Sequence, residues 1–492
     1  MITWGISANS HDAALAVFDD DKLLFASHAE RFSQIKNDPN LNFKLIEHAR
    51  EFGLPKKVVW YENPYLKTIR QLYAGQGWNW KENNIKRYLD TYGINSKIRY
   101  TSHHESHAAG GYFTSKFRTA TVVVMDSIGE FETLTVWKAQ DNKLTKVFSQ
   151  RYPNSIGLWY SAMTQRVGLK PNDEEYILMG MAAYGDPDRL YNDMLADFIT
   201  IGEPNIILKE SLHRGCKQWK PELESEQDMF DIAAATQKLY ETILNSVLHW
   251  VKKNVPNRNL VLMGGCALNC SANHIAKKHF NSVWIMPNPG DAGSAIGSVL
   301  AKTKKHITWT GPYLGYRILG DYPINEAIAE LKKTGIVGVA NGPAEFGPRA
   351  LGNRSLFADP RKADIKDRVN KIKQRQQFRP FAPVILEDYA KDYFKGEMNE
   401  YMQYTSRCLE PEKYPAIVHK DGTSRVQTVN RWQHPQLYQM LFKWHQQTGC
   451  PMLLNTSLNI KGMPMVNDEH DAHRFEKKYG IKVCCKREIK SI

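Results

Sequence analysis

Cysteine is scarce in this chain. Seven residues among 492 are Cys216, Cys266, Cys270, Cys408, Cys450, Cys484 and Cys485. The count is odd and no two Cys-x-x-Cys elements occur, which argues against a disulfide framework and a structural zinc site and points to a reduced, cytoplasmic protein. Long hydrophobic runs are missing too. No stretch approaches the roughly 18 apolar residues of a membrane span, so no membrane partner is expected. The first twelve residues, Met1 to Asp12, lack both a basic start and a continuous apolar segment, so no signal peptide is read there. Internal repeats and low-complexity tracts are also absent, and the composition excludes disorder, collagen and coiled coil as descriptions of the whole chain.

The content is that of a globular protein: 42% apolar and 24% charged residues. At roughly 100 to 200 residues per domain, two to four domains are expected. Acidic residues fall short of basic ones. Sixty-five Lys and Arg against 52 Asp and Glu leave a net charge of +13. Such a balance bears on partners (nucleic acid, anionic membrane or anionic substrates) and not on fold.

The opening predicts three strands, Ile2 to Ile6, Ala13 to Phe18 and Lys22 to Ser27, around polar turns, then a helix near residues 42–52. Residues 61–100 hold eight aromatics and seven bases against three acids, and read as a helical insert with an aromatic core or as a substrate surface. Thr119 to Met125 predicts a buried strand with Asp126 at its tip. Leu260 to Met263 predicts another, running into Gly264-Gly265. Periodicity predicts a helix over about 228–251. A Lys-, Gly- and Pro-rich stretch at 303–323 places a domain boundary near 308/309.

Four segments carry chemistry. His103 and His107, four apart, share one face of a helix, a metal-ligand spacing that ordinary surface histidines also show. Asp126, at a buried strand end, is costly unless paired or metal-bound, although a turn-forming Asp is the common use. Gly290-Asp291-Ala292-Gly293 opens an apolar helix, and small residues there let backbone N–H groups approach phosphate while Asp291 could hold a metal beside it, although a helix N-cap with small packing residues reads the same. With Gly264, Gly265 and Asn269 it makes a nucleotide cleft. In the second half, Arg349, Arg354, Lys373, Arg379 and Arg425, with Asn455-Thr456-Ser457, are interleaved with Gly, Pro and hydroxyl residues, a pattern suited to a small polyanion, since Arg forks match phosphate and carboxylate oxygens.

Taken in order, Ser10-His11-Asp12, His-His-x-x-His-Ala, Asp126-x-x-Gly-Glu, Gly-Gly-x-Ala-Leu-Asn, Gly-Asp-Ala-Gly, Phe-Gly-Pro-Arg-Ala-Leu-Gly-Asn-Arg-Ser, Phe-Arg-Pro-Phe-Ala-Pro and Asn-Thr-Ser-Leu-Asn resemble the ATP-dependent O-carbamoyltransferases of antibiotic and nodulation-factor biosynthesis. The resemblance spans nearly the whole chain. It implies an α/β protein: an N-terminal Kae1-like domain of the actin-like ATPase fold over 1–308 and a C-terminal YrdC-like α/β domain over 309–492. It implies that the C-terminal site makes carbamoyl-adenylate from carbamoyl phosphate and ATP, with Mg2+, and that the N-terminal site passes the carbamoyl group to an acceptor hydroxyl. It further implies that His103, His107, Asp126 and Asp291 hold a divalent metal, typically iron(II), that His11 is the general base, and that Arg349, Lys373, Arg379 and Arg425 bind the phosphates. Two departures, Ser127 where Gly is usual and the missing Lys in Glu174 to Ala182, lie near the expected acceptor and adenylate region.

Three other readings compete. A metalloprotease would need Glu inside the HxxxH in the zincin arrangement, and none is there. Threonylcarbamoyladenosine synthesis on tRNA uses the same two folds, but the Phe-Arg-Pro-Phe-Ala-Pro signature favours users of carbamoyl phosphate. A non-catalytic nucleic-acid-binding module does not account for the phosphate-pocket motifs. For the acceptor, the +13 charge, the aromatic and basic segment with Lys81, Lys86 and Arg87, the basic run Arg361 to Arg375 and the basic tail Lys477 to Lys490 point to DNA bearing a hydroxymethylated pyrimidine such as 5-hydroxymethylcytosine. A small-molecule hydroxyl (sugar, antibiotic or nodulation factor) is the alternative.

Overall fold

The computed structural model describes residues 1–485, so the end of the basic tail, from residue 486, lies outside the described residues. The chain forms two units. One comprises residues 1–29 and 37–309, and the other comprises residues 30–36 and those from 310 onward. The short excursion Glu30–Lys36, which the sequence alone assigns to the N-terminal domain, packs with the C-terminal unit.

The N-terminal unit is built on two five-stranded sheets of the same topology. In the first, Ile2–Ser7 pairs antiparallel with Ala14–Asp19, which pairs antiparallel with Lys22–His28. On the other side of Ile2–Ser7 lie Lys57–Trp60 and then Lys97–Tyr100, both parallel. In the second, Thr119–Gly129 takes the place of Ile2–Ser7. Glu132–Gln140 and Lys143–Arg151 follow antiparallel, and Asn259–Met263 and Ser282–Trp284 parallel. The three-two-one-four-five order therefore occurs twice, as the actin-like ATPase fold requires, although no repeat is visible in the sequence.

Helices His103–Thr114 and Ser294–Thr303 cross where Gly110 and Gly297 meet. A Cβ added at Gly297 would stand 1.9 Å from the Ser106 carbonyl oxygen. Only a side chain of hydrogen lets the two backbones come this close, and that approach sets the two helix starts side by side. The predicted helix over 228–251 is observed as Glu226–Asn254, started by a reciprocal capping pair of Ser225 and Asp228. Residues 61–100 form two short helices, Pro64–Tyr73 and Ile85–Asp90, and the edge strand Lys97–Tyr100. Tyr61 is buried there, whereas Tyr65, Tyr73, Trp78 and Trp80 are exposed.

The C-terminal unit is a mixed α/β domain around a six-stranded sheet. Its order is Gln427–Val429, Ala382–Leu386, Met452–Ser457, Arg354–Ala358, Ile336–Ala340 and Val483–Cys484. Alternate residues feed two cores, one per face. Val337, Val339, Val384 and Leu386 pack with Leu437, Leu441 and Trp444 of helix Pro435–Thr448. Ile336, Ala340 and Ile385 pack with Ile365 and Val369 of helix Ile365–Lys373. Among the described residues, no helix is long and apolar enough to cross a membrane.

Candidate functional site

The strand that carries Asp126 does not stop there. It runs to Gly129, and its pairing register shifts between Met125 and Gly129. This irregularity turns the Asp126 side chain toward the start of helix His103–Thr114. Asp126 Oδ1 accepts from the backbone N–H of Ser127 at 2.8 Å and of Gly265 at 3.3 Å. Its other oxygen, Oδ2, lies 3.1 Å from His103 Nε2 and 3.5 Å from His107 Nε2. Asp291 Oδ1 lies 3.3 Å from each of these nitrogens, and the two nitrogens are 3.1 Å apart.

Four donor atoms, two imidazole nitrogens and two carboxylate oxygens, thus lie within 4.8 Å of one another. Ligands bound at about 2.0–2.2 Å to one ion stand roughly 3.0–3.6 Å apart, which matches these separations. The residues therefore fit a divalent metal. Burial disfavours charge on His103 and His107, but the facing carboxylates of Asp291 and Asp126 overcome it and raise both histidines above their ordinary range. Burial likewise opposes ionisation of Asp126 and Asp291, yet the two histidines hold both carboxyls well below the usual carboxylate range. His104, adjacent but turned to Thr135 Oγ1, is pushed well below the histidine range by burial and by His103.

The glycines of the predicted nucleotide cleft flank this cluster. Gly264 has φ +90°, and a Cβ there would meet the Met125 carbonyl oxygen at 2.1 Å. A side chain is thus excluded from the turn that aims the Gly265 N–H at Asp126. A Cβ at Gly293 would meet the Asn288 carbonyl at 1.9 Å, whereas Gly290 has open space. Asn269 is engaged by the protein: its amide exchanges hydrogen bonds with Gln237, and Oδ1 accepts from the Ala272 N–H.

His11 is exposed on the loop between the first two strands. Its Nε2 lies 2.6 Å from the Asn172 carbonyl oxygen. A carbonyl only accepts, so Nε2 carries the proton and Nδ1 of the neutral ring is left basic. The loop is anchored on both sides. Asp12 Oδ1 lies 2.8 Å from His28 Nδ1, and His28 Nε2 lies 3.0 Å from the Asn288 amide, three residues before Asp291. Asn9 donates to the Glu82 carbonyl, and its own carbonyl accepts from Lys67 Nζ at 2.8 Å.

In the C-terminal unit, sheet register gathers the predicted anion ligands at one end. Ala382 lies opposite Asn455, Ser355 opposite Ser457, and Val384 beside Gln427. The segments that carry Arg379, Arg425 and Ser457 therefore lie at the same end of the sheet. Lys373 is buried, with Nζ at 2.5 Å from the Ser457 carbonyl, 3.0 Å from Ser457 Oγ and 2.6 Å from Asn459 Oδ1. Burial, with Arg375 and Arg379 near, holds its pKa well below that of a free lysine. Asn455 donates to the Ala350 carbonyl and to Gln427 Oε1, which ties the Arg349 loop to this edge. Arg425 Nε is buried without a hydrogen-bond partner among the described residues. Thr456 lies between Asn455 and Ser457, opposite Leu356.

Arg354 is a correction. It is fully buried, and its guanidinium donates to the carbonyls of Tyr316, Asn341, Gly342, Asn353 and Asn467. With every nitrogen engaged, it braces the loop and has no donor for phosphate. Lys81, Lys86 and Arg87 are exposed, and Lys86 lines a cleft of about 620 Å³ with Tyr65, Trp80, Asn83 and Tyr100.

Several site residues escaped sequence reasoning. Glu62 and Lys67 are buried beside His103, at 2.6 Å from each other. Lys67 counts in the sequence only as one more base in an aromatic stretch. Glu130 is named in a motif without a role. In the structure it is buried, accepts from the Asn63 N–H, and is raised to about 7 by burial, against that hydrogen bond. Asn459 completes a motif whose lysine partner, Lys373, lies 86 positions away.

Comparison with known proteins gives matching results over both units. The family model described as Carbamoyltransferase N-terminus matches residues 3–300, and that described as Carbamoyltransferase C-terminus matches residues 328–488. An uncharacterized protein of Synechocystis sp. is 32% identical, with 96% of this chain and 93% of that protein covered. Nodulation protein NolO of Bradyrhizobium diazoefficiens is 31% identical over 75% of each chain. The 3'-hydroxymethylcephem-O-carbamoyltransferase of Amycolatopsis lactamdurans is 29% identical over 96% of this chain and 95% of its own. With family models matching most of both units, the chain belongs to the carbamoyltransferase family and is an enzyme.

Proposed function

We propose that the enzyme is an O-carbamoyltransferase working in two half-reactions. In the C-terminal unit, water cleaves carbamoyl phosphate to phosphate and carbamate. A carbamate oxygen attacks the α-phosphorus of ATP, and pyrophosphate leaves. In the N-terminal unit, the acceptor hydroxyl attacks the carbamoyl carbon of the adenylate, AMP leaves, and the hydroxyl proton goes to Nδ1 of His11. Carbamate is a poor electrophile and adenylation gives it a good leaving group. A hydroxyl with a pKa near that of water needs a base, which an imidazole supplies. The observation that carries this reading is the His103, His107, Asp126 and Asp291 cluster, lying in a different unit from the cationic edge. A divalent ion held by that cluster, iron(II) in the family reading, would offset charge developing on the departing phosphate. Mg2+ would accompany ATP at the C-terminal site, with Arg349, Arg379, Arg425 and Lys373 on the phosphates.

For the acceptor, the reading is the 5-hydroxymethyl group of a pyrimidine such as 5-hydroxymethylcytosine in DNA. Exposed Lys81, Lys86 and Arg87 beside exposed Trp78, Trp80 and Tyr65 support it, since cations track a phosphate backbone and rings stack on bases. Trp78 and Trp80 are themselves stacked, with ring centroids 6.2 Å apart. The base would have to be single-stranded or flipped to reach His11. The second reading, a small-molecule hydroxyl, is favoured by the relative named as acting on a hydroxymethylcephem. The test incubates the enzyme with ATP, carbamoyl phosphate and hydroxymethylated DNA, and measures pyrophosphate and digested nucleosides by mass spectrometry. Pyrophosphate with a carbamoyl mass gain on the nucleoside is expected. Pyrophosphate without that gain, alongside turnover of a sugar or nucleotide hydroxyl, would select the second reading.

A further inference from the structure

Arg31 is the largest unexplained charge in the C-terminal unit. It comes from the N-terminal third of the sequence, on the short helix Ala29–Ser33, within the excursion Glu30–Lys36 that packs with that unit. The side chain is fully buried, at 2% exposure. One nitrogen, Nη2, donates to the Gly347 carbonyl at 2.9 Å. Nε and Nη1 are buried with no hydrogen-bond partner among the described residues. The nearest carboxylate, Glu30, is 3.8 Å from Nε, beyond hydrogen-bond reach. Glu30 is itself held at 2.8 Å by Lys36.

A guanidinium has five N–H donors and keeps its charge at any ordinary pH. Burying three of them unmet is expensive, and native proteins retain such a group when something else supplies the acceptors. Arg354 shows the contrast within the same unit: it too is buried, but each of its nitrogens has a carbonyl. The Gly347 carbonyl that holds Arg31 belongs to the Phe346-Gly347-Pro348-Arg349 turn, two residues before Arg349. That turn is folded back by Glu345 Oε1, which accepts from the N–H groups of Leu351 and Asn353 at 2.8 Å each. The orphaned donors are therefore fixed to the loop that carries a predicted phosphate ligand.

We propose that Arg31 is a further anion ligand of the C-terminal site, binding an oxyanion of carbamoyl phosphate or of the ATP phosphates with Nε and Nη1. The inference rests on the two-step reading for the identity of the anion, and on the geometry alone for its being an anion. It makes the C-terminal site depend on a heptapeptide encoded almost 300 residues upstream of the rest.

The test uses full-length Arg31→Gln and Arg31→Lys proteins beside the wild type. Equilibrium binding of carbamoyl phosphate and of ATP is measured by calorimetry, and KM and kcat are measured by pyrophosphate release. A charged hydrogen-bond pair lost from a buried site predicts that R31Q weakens one of the two anions by about tenfold to a hundredfold, with R31K between it and the wild type. In Arg31→Ala, added guanidinium chloride should restore part of the lost affinity and leave the wild type unchanged. Lower thermal stability in R31Q with both affinities intact would assign Arg31 to packing and overturn the proposal, as would unchanged affinity at unchanged stability. Arg31-dependent anion binding without pyrophosphate release from the wild type would instead fault the adenylation chemistry and leave the role of Arg31 standing.

Discussion

The carboxylate of Glu62 faces the back of His103, with Oε2 3.8 Å from Nδ1, the ring nitrogen turned away from the metal-type cluster. That Nδ1 is buried and has no hydrogen-bond partner among the described residues. Burial opposes charge on Glu62, but Lys67 at 2.6 Å and His103 hold its carboxyl below the usual range. A histidine that presents Nε2 to a metal carries its proton on Nδ1, and a carboxylate facing that nitrogen favours this tautomer through its charge, without a hydrogen bond at this distance. Glu62→Gln should weaken metal binding about tenfold to a hundredfold, read by chelator competition against the metal-free protein. Wild-type affinity in a folded variant would remove Glu62 from the site.

Each half-reaction should be separable by mutation. His103→Ala or Asp291→Ala is expected to abolish carbamoyl transfer while carbamoyl phosphate-dependent pyrophosphate release persists, because these residues belong to the N-terminal unit. Equal loss of both activities in a folded variant would contradict the division.

The converse holds for Arg349, Arg379 and Lys373. Arg379→Ala or Lys373→Met should remove pyrophosphate release and leave metal affinity at the wild-type value. Pyrophosphate release at wild-type rate would place these side chains outside the adenylation site.

Glu130 predicts a pH signature in stability. Its folded pKa of about 7 exceeds the free value of 4.5, so between those values the folded protein holds a proton that the unfolded chain releases. Stability from this group is full below about 4.5 and is lost as pH rises through 7, by on the order of 3 kcal/mol. Relative to wild type, Glu130→Gln should gain that amount between pH 4.5 and pH 8 in denaturant unfolding. A pH-independent difference between the two proteins would refute the assignment.

Gly297→Ala tests the helix crossing. A methyl group 1.9 Å from the Ser106 carbonyl forces the helices apart and should cost about 1–3 kcal/mol or more. Since the same crossing sets His107 beside Asp291, metal affinity should fall with it. An unperturbed melting temperature would show that the crossing relaxes freely.

The hairpin at the start, the helix Glu226–Asn254 and the strand before Asp126 were legible in sequence, because apolar runs and helical period are local. So was the pairing of His103 with His107, which follows from four residues on one helix face. The family motifs named Asp126 and Asp291 as their partners. The register shift that turns Asp126 inward, and the glycine contact that brings in the helix after Asp291, are matters of tertiary packing. The sequence also over-read Arg354. A cation among Gly and Asn residues looks the same whether it meets phosphate or six backbone carbonyl contacts, and only the folded loop decides which.

By itself, then, the order of residues determined the family and most of the elements, since these depend on residue type and short spacing. Tertiary structure alone decided that Glu62 backs His103, that Lys373 reaches Asn459, and that Arg31 leaves its own domain for the C-terminal unit. The physical reason is range. Propensity and period act over a few residues, whereas a buried charge faces whichever group the chain brings back to it, from 41 positions away in Glu62–His103 to 316 in Arg31–Gly347.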